Sequence, residues 1–393
     1  MTGGHVRTAR RRFDNAGFKG KYPSGVRIVN PKARRSTPMP PRRRKRAIHG
    51  LVLLMAVLAS CAPQQAPVVR RLGPALCKEG PPSWRTSDGR QLMYRSWDPS
   101  VGPARAVIVG VPGWNGTAGD MEPLGEYLAR RGICSYSTGV RGQHGDLSAA
   151  REGTKGHIDD GRLWERDFSE FVEWVQRRHT GIPLFLYGQS MGSLVAMLVL
   201  SESNRSGHQI RPAGIILHSP AVAMIYASPI VRLGVAQLRS LKPRALLFRI
   251  GLISGEKPAL TNNPKFDRYW GLSRDRVRPG FSWAFFDETL KLGARARTAA
   301  SSMEVPVIVL TGDKDPIGTA GVGQGAFARF MRSIPAQEKE RQRFADGYHD
   351  LIHDSNRADA VQRVADWLDR RLRTPDASVA KQNGGHSVKS RNL

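Results

Sequence analysis

Cysteine is almost missing from this chain: three in 393 residues, at Cys61, Cys77 and Cys134. That excludes a disulfide-stapled fold and a cysteine-rich metal framework. Acidic residues are scarce too, 33 against 61 Lys and Arg, for a net charge of +28. The excess invites a nucleic-acid reading, but its location argues against one. Residues 1–50 hold fifteen Lys and Arg against one acid, Asp14, which is half of the net charge. No zinc-finger spacing or aromatic RNA-binding motif accompanies it, so nucleic acid is not an expected partner. A basic balance of this kind decides solubility and surface adhesion rather than fold. Histidines are present, but without metal-ligand spacing, and neither a metal nor a cofactor is expected.

A long apolar span is lacking as well. The uncharged run Ala47–Ser60 is too short to cross a bilayer comfortably, but it suits the apolar region of a secretory signal. Arg42-Arg43-Arg44-Lys45-Arg46 precedes it and Leu58-Ala59-Ser60-Cys61 ends it. This order resembles a bacterial lipobox, which implies cleavage before Cys61 and its lipidation. Residues 1–60 are thus expected to be an N-terminal extension and lipoprotein signal, with translation starting at Met39 beside the arginines. Residues 61–80, with their prolines, read as a tether, 81–373 as the globular domain, and 374–393 as a disordered polar tail. The expected location is the cell envelope, lipid-anchored to a membrane, and the expected state is a monomer. Cys134 sits in an apolar strand-like run and is expected to be free and buried, a pairing with Cys77 being the alternative.

From Leu92 onward apolar runs alternate with helical patterns, the signature of a mostly parallel sheet covered by helices. Strands are predicted at Leu92–Trp97, Ala106–Val111, Ile133–Thr138, Leu184–Tyr187, Gly214–His218, Pro306–Thr311 and Arg341–Ala345. Helices are predicted near Ala118–Arg131, Arg162–Arg178, Ser190–Ser203 and Arg357–Arg373. Nearly ninety residues separate the strand ending at His218 from the one starting at Pro306, far more than a crossover helix needs. This segment, about 221–300, reads as a helical cap. Within Val231–Ile250, leucines interleave with Arg232, Arg239, Lys242, Arg244 and Arg249, and Tyr269, Trp270, Phe281, Trp283, Phe285 and Phe286 follow. The cap charges are expected to solvate the outer face of its helices, with attraction to an anionic lipid surface as the alternative.

The chemistry centres on Gly188-Gln189-Ser190-Met191-Gly192, placed after a buried strand and before a helix. A serine on so sharp a strand-to-helix turn sits in strained backbone with its hydroxyl exposed beyond the sheet. Its hydroxyl needs a base to take the proton and a carboxylate to orient that base, in chain order serine, acid, histidine. Val307-Ile308-Val309-Leu310 leads into a loop holding Asp313 and Asp315. Arg341–Ala345 leads into His349, which is preferred over His353 because His353 falls on the next helical segment. His144 and His157 read as structural.

Together these motifs resemble the α/β-hydrolases of the monoacylglycerol lipase/lysophospholipase group, a branch also described as serine aminopeptidase-like. Thr138-Gly139-Val140-Arg141-Gly142-Gln143-His144-Gly145 resembles that family's Asp-x-Arg-Gly-x-Gly loop. Gly156-His157-Ile158-Asp159 with Asp167, Gly312-x-x-Asp315 and Gly347-Tyr348-His349 match further segments. The resemblance implies a mostly parallel twisted sheet with flanking helices and a cap inserted between late strands. It places the acid at Asp315 and the oxyanion-hole amides at Met191 and Trp114. Where the family usually has His-Gly, this chain has Pro112-Gly113. The implied activity is hydrolysis of carboxylic esters of a lipid-like small molecule, of monoacylglycerol or lysophospholipid type, through an acyl-enzyme on Ser190. The alternatives are a proline-iminopeptidase-like peptidase and a non-catalytic binding lipoprotein.

Overall fold

The computed structural model describes residues 82–100, 102–206, 210–245, 260–263, 280–315, 317 and 323–373. The extension, signal, tether and tail expected at 1–60, 61–80 and 374–393 lie outside the described residues, as do Met39, Cys61, Cys77, Tyr269 and Trp270.

Among the described residues eight strands form one sheet in the order β1-β2-β4-β3-β5-β6-β7-β8. They are β1 (Ser83–Arg85), β2 (Gln91–Trp97), β3 (Ala106–Val111), β4 (Ile133–Thr138), β5 (Leu184–Gln189), β6 (Gly214–His218), β7 (Val307–Gly312) and β8 (Lys339–Phe344). The β1–β2 and β2–β4 pairings are antiparallel and every pairing from β4 to β8 is parallel. Strands β3 to β7 are buried along their whole length, which is why β3, β5, β6 and β7 read as largely apolar runs, whereas β4 buries Ser135, Ser137 and Thr138 as well. The edge strand β8, Lys-Glu-Arg-Gln-Arg-Phe, is charged and alternates exposed with half-buried residues. A charged edge resists pairing with another chain.

Alternate side chains of the sheet enter two cores. Val107, Val109, Leu184, Leu186, Ile215, Leu217, Val307 and Val309 face one side. That side is covered by α3 (Arg162–Gln176), α4 (Met191–Ser206), α7 (Trp283–Ala300) and α8 (Gly323–Ser333). The helix α3 buries Trp164, Phe168, Phe171, Val172 and Val175, an i, i+4, i+7, i+8, i+11 stripe. On the other side Ala106, Ile108, Phe185, Ile216, Ile308 and Leu310 meet α1 (Glu122–Ala129) and α9 (Arg357–Arg373). Trp367 of α9 stands edge-on to Phe185 at 5.7 Å, over a β6 start kept side-chain-free by Gly214, where a Cβ would lie 2.7 Å from that indole. Cys134 is free and buried, its thiol pushed up to about 12 by burial and by Asp98, and is chemically inert.

Three elements escaped the sequence patterns: β1, the short α2 (Leu147–Glu152) and α8. The helix expected over Ala118–Arg131 divides into a 3₁₀ turn, Ala118–Met121, and α1, where Pro123 opens the first helical turn.

The insertion between β6 and β7 carries α5 (Val222–Ile225), α6 (Pro229–Leu241) and α7. Here the structure reverses an expectation. Arg232 and Arg239 turn inward, while Ile230, Leu233 and Leu241 of α6 are 82 %, 63 % and 77 % exposed. The reason is demand for donors beneath the helix. Arg232 donates to the carbonyls of Met224, Ile225 and Ala227, at and just after the end of α5, and to that of Leu290 on α7. Arg239 pairs with the buried carboxylates of Asp287 and Glu288. The two arginines of α6 are thus consumed by the fold while apolar side chains of that helix face outward; Lys242 and Arg244, just beyond it, are exposed as expected.

Candidate active site

Three non-glycine residues among those described adopt left-handed backbone: Asn115 (φ 60°), Ser190 (φ 52°) and Ser219 (φ 44°). They follow β3, β5 and β6, at the carboxyl ends of adjacent parallel strands. Each costs of order 1–3 kcal/mol, and strain of this kind collects where a fold presents chemistry.

At Ser190 the sterics account for the flanking glycines. A Cβ on Gly188 would stand 2.5 Å from the Gly192 carbonyl, and one on Gly192 would overlap the carbonyls of Val111 and Pro112. The turn is pinned by its backbone: the Ser190 amide donates to the His218 carbonyl at 2.9 Å, and the Ser190 carbonyl accepts from Ser193 at 3.1 Å and Ala221 at 3.3 Å. The Ser193 hydroxyl donates to the Gly188 carbonyl at 2.7 Å. Ser190 itself stays partly exposed between buried neighbours.

The two sequence-predicted partners meet after β7 and β8. His349 Nδ1 and Asp315 Oδ2 are 2.9 Å apart, with Asp315 fully buried and His349 nearly so. The second Asp315 oxygen accepts from the Ile317 amide at 2.8 Å. With Nδ1–H donating to the carboxylate, Nε2 is left as the basic nitrogen. Burial pulls the His349 pKa down, but the Asp315 charge and hydrogen bond outweigh it, with Asp350 adding to them, and the imidazole is held above its usual 6.5. Asp313, the competing acid, turns away to Arg343 at 2.8 Å and 3.1 Å. The histidine loop packs on the acid loop through Gly312, where a Cβ would overlap the carbonyls of Gly347 and Tyr348.

Two connections join this pair to the serine turn. Gln189 Nε2 donates to Asp350 Oδ1 at 3.0 Å, linking the residue before Ser190 to the residue after His349. His218, fully buried at the end of β6, accepts the Leu351 amide on Nε2 at 3.1 Å. Its Nδ1–H consequently donates to the Tyr187 hydroxyl, at 2.7 Å. Burial drives the His218 pKa down to about 4, so it is a neutral strut at physiological pH.

The loop after β3 lies against the serine: a Cβ on Gly113 would be 2.9 Å from Ser190 Cβ. Gln143, buried, brackets Trp114 by accepting from the Asn115 amide and donating to the Gly113 carbonyl at 3.3 Å. Between these two contacts the Trp114 amide, like that of Met191, donates to no acceptor among the described residues. The Trp114 ring packs against Phe281, Phe285 and Phe286 with centroids 5.2–5.6 Å apart. His157 bonds Ser282 and Asp159, a structural use, whereas His144 lines a cavity of about 370 Å³ with Arg95, Asp120, Glu122, His353 and Arg357. Sequence patterns gave no role to His218, Gln143, Gln189 and Asp350: Gln143 and Gln189 fill positions their motifs leave open, His218 and Asp350 only flank theirs, and the contacts that define them reach far along the chain.

Residues 102–356 match the serine aminopeptidase, S33, family. The chain is 26% identical over 265 residues to the monoglyceride lipase of Homo sapiens, covering 67% of this chain and 82% of that protein. It is 25% identical over 293 residues to the monoglyceride lipase of Mus musculus, covering 73% and 89%. Among solved structures it is similar in fold to a soluble variant of the monoglyceride lipase of Saccharomyces cerevisiae, with TM-score 0.62, 19% identity and 79% and 100% coverage. A thermostable carboxyl esterase from Bacillus coagulans gives TM-score 0.63 at 14% identity, with 74% and 97% coverage.

Proposed function

Because the chain belongs to the serine aminopeptidase S33 family of α/β-hydrolases, we propose that it is a serine hydrolase that cleaves carboxylic esters of lipid-like alcohols, of monoacylglycerol or lysophospholipid type. The observation that carries this reading is the left-handed Ser190 turn, tied by the Gln189–Asp350 bond to the buried Asp315–His349 pair. In this mechanism His349 Nε2 takes the proton of Ser190, whose oxygen attacks the ester carbonyl. The Trp114 and Met191 amides stabilise the developing oxyanion, and the alcohol leaves with the proton returned by His349. Water activated by the same imidazole then releases the acid. Asp315 fixes the tautomer and stabilises the imidazolium.

An ester rather than a peptide substrate is supported by the insertion between β6 and β7. A peptidase needs acids free to hold a substrate's amino group. Asp287 and Glu288 of α7 are instead neutralised by Arg239 and Lys291, and the exposed apolar residues of α6 suit a lipid aggregate better than a soluble peptide. The binding-lipoprotein alternative leaves the strained serine and the acid–histidine pair without a use. Turnover across monoacylglycerols, lysophospholipids and aminoacyl anilides tests the reading. Hydrolysis of the monoacyl esters alone is expected, and anilide cleavage with inert esters would reverse it.

The Cys61 lipobox and basic run support export and lipid anchoring in the cell envelope. An unchanged mass and undiminished membrane association in Cys61→Ser would remove the anchor.

A further inference from the structure

Asp350 is a buried carboxylate beside the proposed base, and the reaction assigned above has no step for it. Its Oδ1 accepts from Gln189 Nε2 at 3.0 Å. His353 Nδ1 lies 3.0 Å and 3.1 Å from the two Asp350 oxygens, and the Asp350 amide donates to the Leu260 carbonyl at 2.9 Å. Side chain and backbone are thus both fixed. One end of the contact is a backbone neighbour of Ser190 and the other a backbone neighbour of His349. The acid loop makes no such link, since Asp315 holds the imidazole from the β7 side; His218 makes a second, longer one through β6, its carbonyl accepting from the Ser190 amide and its Nε2 from the Leu351 amide, two residues beyond His349.

We propose that Asp350 is a positioning residue, which through Gln189 sets His349 against Ser190 and through its own charge supports the imidazolium formed during turnover. The inference rests on the serine-hydrolase reading above. Proton transfer between serine and imidazole is sensitive to sub-ångström placement, and a rigid bond across the two loops supplies that placement. Burial opposes the Asp350 charge, but His353 first, then His218 and His349, keep its carboxyl below the usual range, so it is ionised at working pH. The groups bearing on His349 are Asp315 and Asp350, and on the β6 side His218, itself neutral. The Tyr187 phenol is pushed well up by burial and stays neutral.

Two roles, tie and charge, predict two separable signatures. Asp350→Asn keeps an oxygen for Gln189 and loses the charge. Its acid limb of kcat/KM moves to lower pH, with kcat on the plateau within about threefold of wild type. Asp350→Ala and Gln189→Ala break the tie, and kcat falls roughly ten- to a hundredfold with KM little changed. Gln189→Ala leaves the charge and so leaves the acid limb in place. Rates are expressed per active site titrated to completion with a fluorophosphonate, so misfolded protein is not counted. If Asp350→Ala does not fold, Gln189→Ala and Asp350→Asn still decide. Wild-type kcat per site in Gln189→Ala, together with an unmoved acid limb in Asp350→Asn, would reduce Asp350 to a structural residue. Ser190→Ala is measured in the same series: retained hydrolysis there overturns the underlying reading, independently of the Asp350 variants.

Discussion

His218 makes folding stability depend on pH in a way that can be calculated. In the unfolded chain it protonates near 6.5, and in the fold near 4, because burial disfavours the cation. Between these values the unfolded state holds a proton that the native state lacks, so unfolding becomes easier as pH falls. The slope is about 1.4 kcal/mol per pH unit. From pH 7.5 to pH 5 the cost is about 2 kcal/mol, reaching about 3 kcal/mol near pH 4. His349 works in the opposite direction. Its raised pKa adds stability that is fully present below 6.5 and is lost as pH rises through the folded value. The contribution of His218 is isolated by comparison with His218→Gln, which offers Leu351 an oxygen and does not titrate. Urea unfolding of both proteins at pH 7.5, 6 and 5 is the assay. The variant is expected to be less stable at pH 7.5 by about 1 kcal/mol, through loss of the Tyr187 hydrogen bond. Wild type should then lose about 2 kcal/mol more than the variant on acidification. Parallel stability curves would refute the buried neutral imidazole.

Further outcomes follow from other contacts. Gly192→Ala must push the serine turn away from the Val111 and Pro112 carbonyls, costing about 1–3 kcal/mol in urea unfolding and most of the activity. Gln143→Ala releases the bracket around Trp114, and kcat should fall by up to the 10²–10³ typical of a lost oxyanion donor, with KM steady. In wild type, kcat/KM is expected to rise with pH through a midpoint above 6.5, since the raised His349 must lose its proton to act as base. Serine at Ile230, Leu233 and Leu241 together should slow hydrolysis of aggregated esters several-fold and leave a short, soluble ester untouched, because those side chains face outward.

The sheet was legible chiefly because parallel strands buried on both faces need apolar runs, as β3, β5, β6 and β7 show; the antiparallel β2 and the Ser-rich β4 were read as well, from weaker patterns. The charged β8 gave a weaker signal, and its predicted Arg341–Ala345 begins two residues late. The three-residue β1 and six-residue α2 are too short to show a period. At the site, Ser190, Asp315 and His349 stand on strand ends that motifs locate, and the choice between Asp313 and Asp315 becomes geometric once Arg343 claims the former. Gln143, His218 and Asp350 work through partners 28 to 161 residues away, a relation that periodicity cannot show. The inverted α6 has the same origin. Its arginines answer to acceptors on α5 and α7, which no local pattern of charge and leucine reveals.

The most direct measurement is the site of covalent modification by a fluorophosphonate, mapped by peptide mass in wild type and in Ser190→Ala. A single adduct on the peptide carrying Ser190, absent in the variant and slowed by Asp315→Asn, is the predicted result. Labelling of another serine that persists undiminished in Ser190→Ala would contradict the assignment of the nucleophile and, with it, the mechanism.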